Sequence, residues 1–265
     1  MSARIRPSAS LAFVLALAVD LSLVGAGCVD YGDLATQGID SVDTVAGESQ
    51  FLVAGTDGAD ATMSAEEVAS GAAARATTYW QPAGCITATA RAAQVTYTLV
   101  DCTGPYGHVH VTGSVVVDYS RAADGLHFHA TGEAIQVNGG TIDIDTTGVY
   151  TITGTTKRVV ATTHGSGVGP RGTAFTRDGT YDLTWDPATS CLGVDGTWSN
   201  RAGAVHWTTT VTGYRRCASS CPATGGQIVV RGDRNALTIT FDGTSAASWA
   251  EERRGRSGTV QLFCE

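Results

Sequence analysis

Lysine is all but missing from this chain. Lys157 is the only one in 265 residues, and the other basic residues are arginines. Basic residues number 17 against 25 acidic ones, a net charge of -8. A chain this acidic lacks the positive stripe that holds a phosphate backbone, which excludes a nucleic-acid partner and argues against docking on anionic lipid. Long apolar runs are missing too. The stretch Leu11 to Val19 is too short for a spanning helix, which needs ~20 apolar residues, and nothing after it comes nearer. No serine sits in the strand–turn–helix setting of a nucleophile elbow: His164-Gly-Ser-Gly167 reads as a glycine-rich loop leading to Pro170-Arg-Gly172. Those glycines lack the lysine and helix of a phosphate loop. The cysteines lack the paired C-x-x-C rhythm of a zinc site. The expectation is therefore no cofactor, no metal and no catalytic residue.

What is present begins at the N-terminus. Arg4 and Arg6 precede the apolar run, and small residues follow it up to Cys28. Charge, a short apolar core and small residues, in that order, make a signal peptide of residues 1–27. Ala26 and Gly27 directly before Cys28 resemble the lipobox of bacterial lipoproteins. The resemblance covers the first 28 residues. It implies that Cys28 is acylated and becomes the mature N-terminus, so that the protein meets a membrane through lipid. Val29 rather than Asp after the cysteine points to the outer membrane, with the chain facing the periplasm or the cell surface.

Setting Cys28 aside leaves Cys85, Cys102, Cys191, Cys217, Cys221 and Cys264. An even number in an exported chain predicts disulfides. Cys85 and Cys102 flank a predicted hairpin and are expected to pair. Cys217 and Cys221 bracket one tight loop, which leaves Cys191 with Cys264.

Residues 28–60 are acidic and glycine-rich and read as a flexible tether. Residues 61–84 hold a short helix and its lead-in. Ser64 and Glu67 have capping-box spacing ahead of an alanine-rich run, predicting a helix over 64–76. From Cys85 to the end the pattern has period two. Val115, Val117 and Tyr119 alternate with Ser, Val and Asp, and similar runs recur through Phe128, Tyr150, Tyr181, Trp198, Val211 and Ile239. One apolar and one threonine-rich face is the mark of antiparallel strands with a wet side. Residues 85–265 are therefore expected as an all-β domain. It should be an antiparallel up-and-down meander of about eleven or twelve strands, closing into a barrel or wrapped sheet, with one short N-terminal helix. Gly113, Gly132, Gly148, Gly179, Gly196 and Gly213 fall at inward mid-strand positions, and are expected to form a groove for the alanine-rich helix.

Four histidines come as His108/His110 and His127/His129. Residues i and i+2 of a strand share a face about 7 Å apart, a spacing that suits a metal. The predicted hairpin with its turn at 122–125 separates the two pairs, so surface histidines are the simpler reading. It sets His129 across from Asp118 as an exposed ion pair. Glu133 and Asp145 are expected as neighbours across adjacent strands, with Asp143 close by. Paired carboxylates can hydrolyse glycosides or hold calcium. Arg231-Gly-Asp233 reads as turn chemistry.

Together these features predict a non-catalytic cell-envelope lipoprotein, a lipid-anchored β domain whose partner is an apolar ligand or an envelope protein. Two other readings compete with it. One is a hydrolase using the acidic and histidine residues. The other is a transmembrane β-barrel, against which Arg177 on the apolar face argues.

Overall fold

The computed structural model describes residues 59–262, except 61, 79, 104–109, 138, 155, 170–171, 187–190 and 218–219, together with eight positions between 31 and 42. Helix α1 (Ala65–Arg75) leads into a meander. Its strands are β1 (Ile86–Arg91), β2 (Gln94–Thr103), β3 (His110–Ala122), β4 (Gly125–Val137), β5 (Gly140–Thr153), β6 (Thr156–Val168) and β7 (Ala174–Asp186). They continue as β8 (Cys191–Ala202), β9 (Val205–Cys217), β10 (Gln227–Gly232), β11 (Ala236–Phe241), β12 (Ala246–Glu251) and β13 (Ser257–Gln261). All thirteen form one sheet in chain order, each antiparallel to the next. β1 and β13 are its two edges, so the sheet wraps without closing.

Alternation drives this arrangement. In β6, Val159, Ala161 and Thr163 are buried while Arg158, Val160, Thr162 and His164 are exposed. The inward residues of successive strands, from Val95 through Val117, Phe128, Leu183 and Val194 to Ile239, form one continuous core. The segment His164-Gly-Ser-Gly167 belongs to β6 and is not the loop expected from its glycines. Gly167 faces inward, where a side chain would meet the backbone at Ile142 and the ring of Phe175 at 3.0 and 3.1 Å.

Helix α1 forms as expected. The Ser64 hydroxyl accepts the Glu67 amide at 3.2 Å, and the Glu67 carboxylate accepts the Ser64 amide at 2.7 Å. Its buried face, Ala65, Val68, Ala69 and Ala72, packs on β1, β2 and β3. Arg121 fastens the lead-in, donating to the carbonyls of Met63 at 2.6 Å and Asp60 at 3.2 Å. The glycine groove does not receive this helix. Three of the six glycines face aromatic side chains on a neighbouring strand instead: Gly148 lies opposite Phe128, Gly179 opposite Trp198 and Gly196 opposite Tyr181. Gly113 and Gly132 face Ile135, and Gly213 is exposed and not inward as expected. A side chain at Gly148 would sit 2.6 Å from the Phe128 ring. Gly148, Gly179 and Gly196 each leave room for the aromatic residue opposite, and strand-interior glycines of this kind allow a sheet to coil.

The tether expectation fails for the described positions between 31 and 42, which are helical. Tyr31, Ala35, Ile39 and Val42 fall on one helical face and are buried in the main core. Tyr31 stacks on Trp249 with ring centroids 5.9 Å apart. Asn235 donates to its hydroxyl at 3.4 Å, and the Arg256 guanidinium lies 5.6 Å from its ring centre. A side chain at Gly38 would come within 2.9 Å of the Ile239 side-chain tip, so glycine lets the segment lie close to the sheet. The acidic and glycine-rich composition hid a narrow apolar stripe. Residues 43–58 lie outside the described set.

Cys85 and Cys102 are bridged, with Cα atoms 5.2 Å apart. The other pairings differ from expectation. Cys191 bridges Cys217, because the register of β8 and β9 sets these two directly opposite each other. Cys221 is also disulfide-bonded, and since Cys217 is joined to Cys191 the expected Cys217–Cys221 pair does not form. Cys28 and Cys264 lie outside the described residues. Disulfides stapling a sheet point to an oxidising, non-cytoplasmic compartment.

Candidate functional site

The outward face of β3 to β7 carries the titratable residues the sequence singles out. His127 lies opposite Ser120 and His129 opposite Asp118, as the hairpin predicts. The ion pair is nevertheless a different one. His129 turns its Nε2 to Asp145 on β5, 2.8 Å away, and Asp118 accepts from the Gln94 amide at 2.8 Å. Asp145 is in turn opposite His164, and His164 opposite Asp178, whose carboxylate its Nδ1 contacts. Carboxylates and imidazoles therefore alternate across five strands: Asp118, His129, Asp145, His164, Asp178. With strands about 4.8 Å apart, the row is about 19 Å long. His164 was hidden from sequence reasoning because its strand looked like a loop.

A second row runs beside the first. Thr147, Thr162, Thr180, Thr197 and Thr210 face one another in successive pairs from β5 to β9. Thr197 donates to Thr210 at 3.3 Å. Arg158 spans to Asp182 with Nε 2.8 Å from Oδ1, a contact that raises the already high pKa of the guanidinium.

The remaining histidine pairs separate. His110 Nδ1 meets Asp101 at 3.2 Å, and both side chains are exposed. His108 lies outside the described residues. His127 Nε2 meets Asp124 at 2.7 Å in the β3–β4 turn, and this hydrogen bond holds the Asp124 carboxyl below its usual range. Among the described residues, no three His, Cys, Asp or Glu side chains are grouped so as to hold a metal ion.

The acidic cluster is taken apart by a β-bulge. The ladder between β4 and β5 shifts between Gly132 and Ile135, which removes Glu133 from its place beside Asp145. Ala134, at φ 48°, leaves the ladder, and its amide donates to Asp143 Oδ1 at 2.7 Å. Asp195 accepts the Gly213 amide at 2.7 Å in the same way where β8 and β9 shift register. The Thr112 hydroxyl does so for Asp101 at 2.8 Å. Asp143 is thus a backbone clamp, and Asp145 serves His129. No free carboxylate pair of the kind a glycosidase uses is left at this spot.

An open hollow of about 530 Å³ lies where the start of α1 meets the β1–β2 turn and β3. Met63, Ser64, Glu66, Ala93, Tyr119 and Arg121 line it. Below it the phenols of Tyr97 and Tyr119 form a buried pair. Burial pushes Tyr97 up to about 12 and Tyr119 well above the usual 10. These groups stay neutral near pH 7 and offer no base there.

No protein family, curated protein or solved structure matches the chain.

Proposed function

We infer that this chain is a non-catalytic lipoprotein of the bacterial cell envelope. Lipid at Cys28 attaches it to the outer membrane, and the wrapped sheet presents its polar outer face to another envelope protein. The observation that carries the reading is the order charge, short apolar run, small residues and cysteine at residues 4–28. The disulfide-stapled sheet is consistent with export, since such bridges do not persist in a reducing cytosol. The geometry also weakens the rivals. Asp143 and Asp145, two of the carboxylates a hydrolase would use, are engaged in a bulge and an imidazole contact. A transmembrane barrel would turn an apolar band outward, whereas this outward face is rich in threonine, aspartate and histidine, with Val100, Val160 and Val168 exposed among them. The inward residues pack on one another and on the two helical segments, so a surface partner fits better than an apolar ligand held inside the sheet.

Labelled palmitate tests the reading in the bacterium that makes the protein. The label should enter the full chain and be absent from Cys28→Ser. Equal labelling of the two, or none in either, contradicts it.

A further inference from the structure

Charge is not spread evenly over this acidic chain. The β10–β11 and β12–β13 turns lie at the same end of the meander, because turns alternate between ends. They bring together Arg231, Arg234, Arg253, Arg254 and Arg256, all exposed. Their acidic neighbours are Asp233, Glu251 and Glu252. Glu251 is buried and spent on the turn, accepting the amides of Arg253 and Arg254 at 3.0 and 2.7 Å. Glu252 faces Arg231 at 3.4 Å. Within these two turns five guanidinium groups stand against three carboxylates, and Asp30, which precedes Tyr31 in the sequence, makes four, so the excess stays positive on a chain whose net charge is -8.

The chain enters the fold at this same end. Tyr31 lies between Trp249 and Arg256 and touches Asn235 of the β10–β11 turn. Only Val29 and Asp30 separate it from Cys28. Three residue steps reach at most about 11 Å even when fully extended. A lipid-bearing Cys28 would therefore hold the arginine-bearing turns at the headgroup level, where anionic lipid is attracted by each basic side chain within a Debye length.

We propose that the turns at 232–235 and 252–256 form the membrane-facing surface of the protein, with the guanidinium groups of Arg234, Arg253 and Arg254 docking on the phosphates of anionic phospholipid. This rests on the lipid anchor inferred above. It sets the sheet against the bilayer with a fixed end down, where a long leash would leave its orientation free. The overall acidity of the sequence argues against such docking only while the charge is treated as uniform.

The test uses the full chain, purified from the bacterium and mixed with vesicles of phosphatidylcholine alone or with one third phosphatidylglycerol. Flotation with phosphatidylcholine vesicles reads the anchor. Trypsin reads the surface: cleavage after Arg253 and Arg254 is compared with cleavage after Arg91, in the exposed β1–β2 turn at the opposite end. With phosphatidylglycerol the ratio should fall about tenfold, and 0.5 M salt should restore it. Arg253→Gln with Arg254→Gln should lower flotation on phosphatidylglycerol vesicles and leave flotation on phosphatidylcholine unchanged. An unchanged cleavage ratio in floating protein overturns the docking surface and leaves the anchor intact. Flotation on the anionic vesicles alone overturns the anchor and supports the surface. Flotation on neither overturns both.

Discussion

The carboxylate of Asp143 on β5 accepts the backbone amide of Ala134 on β4 at 2.7 Å, and Ala134 sits at φ 48°. One side chain thus holds a left-handed alanine in a bulge, a conformation that costs an L-residue roughly 1–2 kcal/mol. Asp143→Ala should lower stability by about 1 kcal/mol by orphaning that amide. Ala134→Gly should raise it by about 0.5–1 kcal/mol by relieving the strain. Urea midpoints of both variants check this. A neutral Asp143→Ala would mean that the carboxylate is free for other work.

The coiling of the sheet depends on glycine–aromatic pairs, and these pairs make a contrast. A side chain at Gly179 would run into Trp198 and the backbone beside it, while at Gly165 the nearest atom is 3.7 Å away. Gly179→Ala should cost about 2–3 kcal/mol, and Gly165→Ala should be close to neutral. Thermal melts of the two variants decide it, and equal melting temperatures would count against the account.

Tyr31 carries the argument that the N-terminal segment is part of the fold. Tyr31→Ala removes the stack on Trp249 and should cost about 2–3 kcal/mol. Trp249 emission should shift to the red as the ring meets water. A truly flexible leash would leave both stability and emission unchanged.

Stability should depend on pH at both extremes. Tyr97 has a folded pKa of about 12, above the usual 10, so its contribution is whole below pH 10 and is lost as pH rises towards 12. Asp124 is held below 3.8 chiefly by the His127 hydrogen bond, so its contribution is present above that value and fades as pH falls below it. Absorbance near 295 nm should show a tyrosine that resists ionisation until the fold opens, and Tyr97→Phe should reduce the alkaline loss. Carbon-detected NMR should place the Asp124 midpoint below 3.8 and show it rising in His127→Ala. A phenol in position 97 that titrates at 10 in the folded protein contradicts the buried pair.

The period-two alternation made the meander legible, along with one hairpin's register, down to the facing of His129 and Asp118. Bulges were not legible. A single extra residue near Glu133 reassigns Asp143 and Asp145, and no local pattern announces it. The Cys191–Cys217 bridge depends on where β8 and β9 align, whereas the spacing of Cys217 and Cys221 suggested a small loop. The helical positions from Tyr31 to Val42 were hidden because aspartate and glycine dominate the composition while, among the described residues, four apolar side chains make the buried face. Gly165 and Gly167 looked like loop residues because their partners lie on other strands. Charge behaved likewise: the net value was right, and its segregation onto two turns needed the topology.

Mass spectrometry of the protein purified from its own bacterium, intact and after non-reducing digestion, bears most directly on the central inference. We predict a chain that begins at Cys28 and carries the mass of fatty acyl groups there, with Cys85–Cys102 and Cys191–Cys217 recovered as linked peptides. A chain that keeps residues 1–27, or one with an unmodified Cys28 and free thiols at these four positions, would contradict both the envelope location and the anchored orientation.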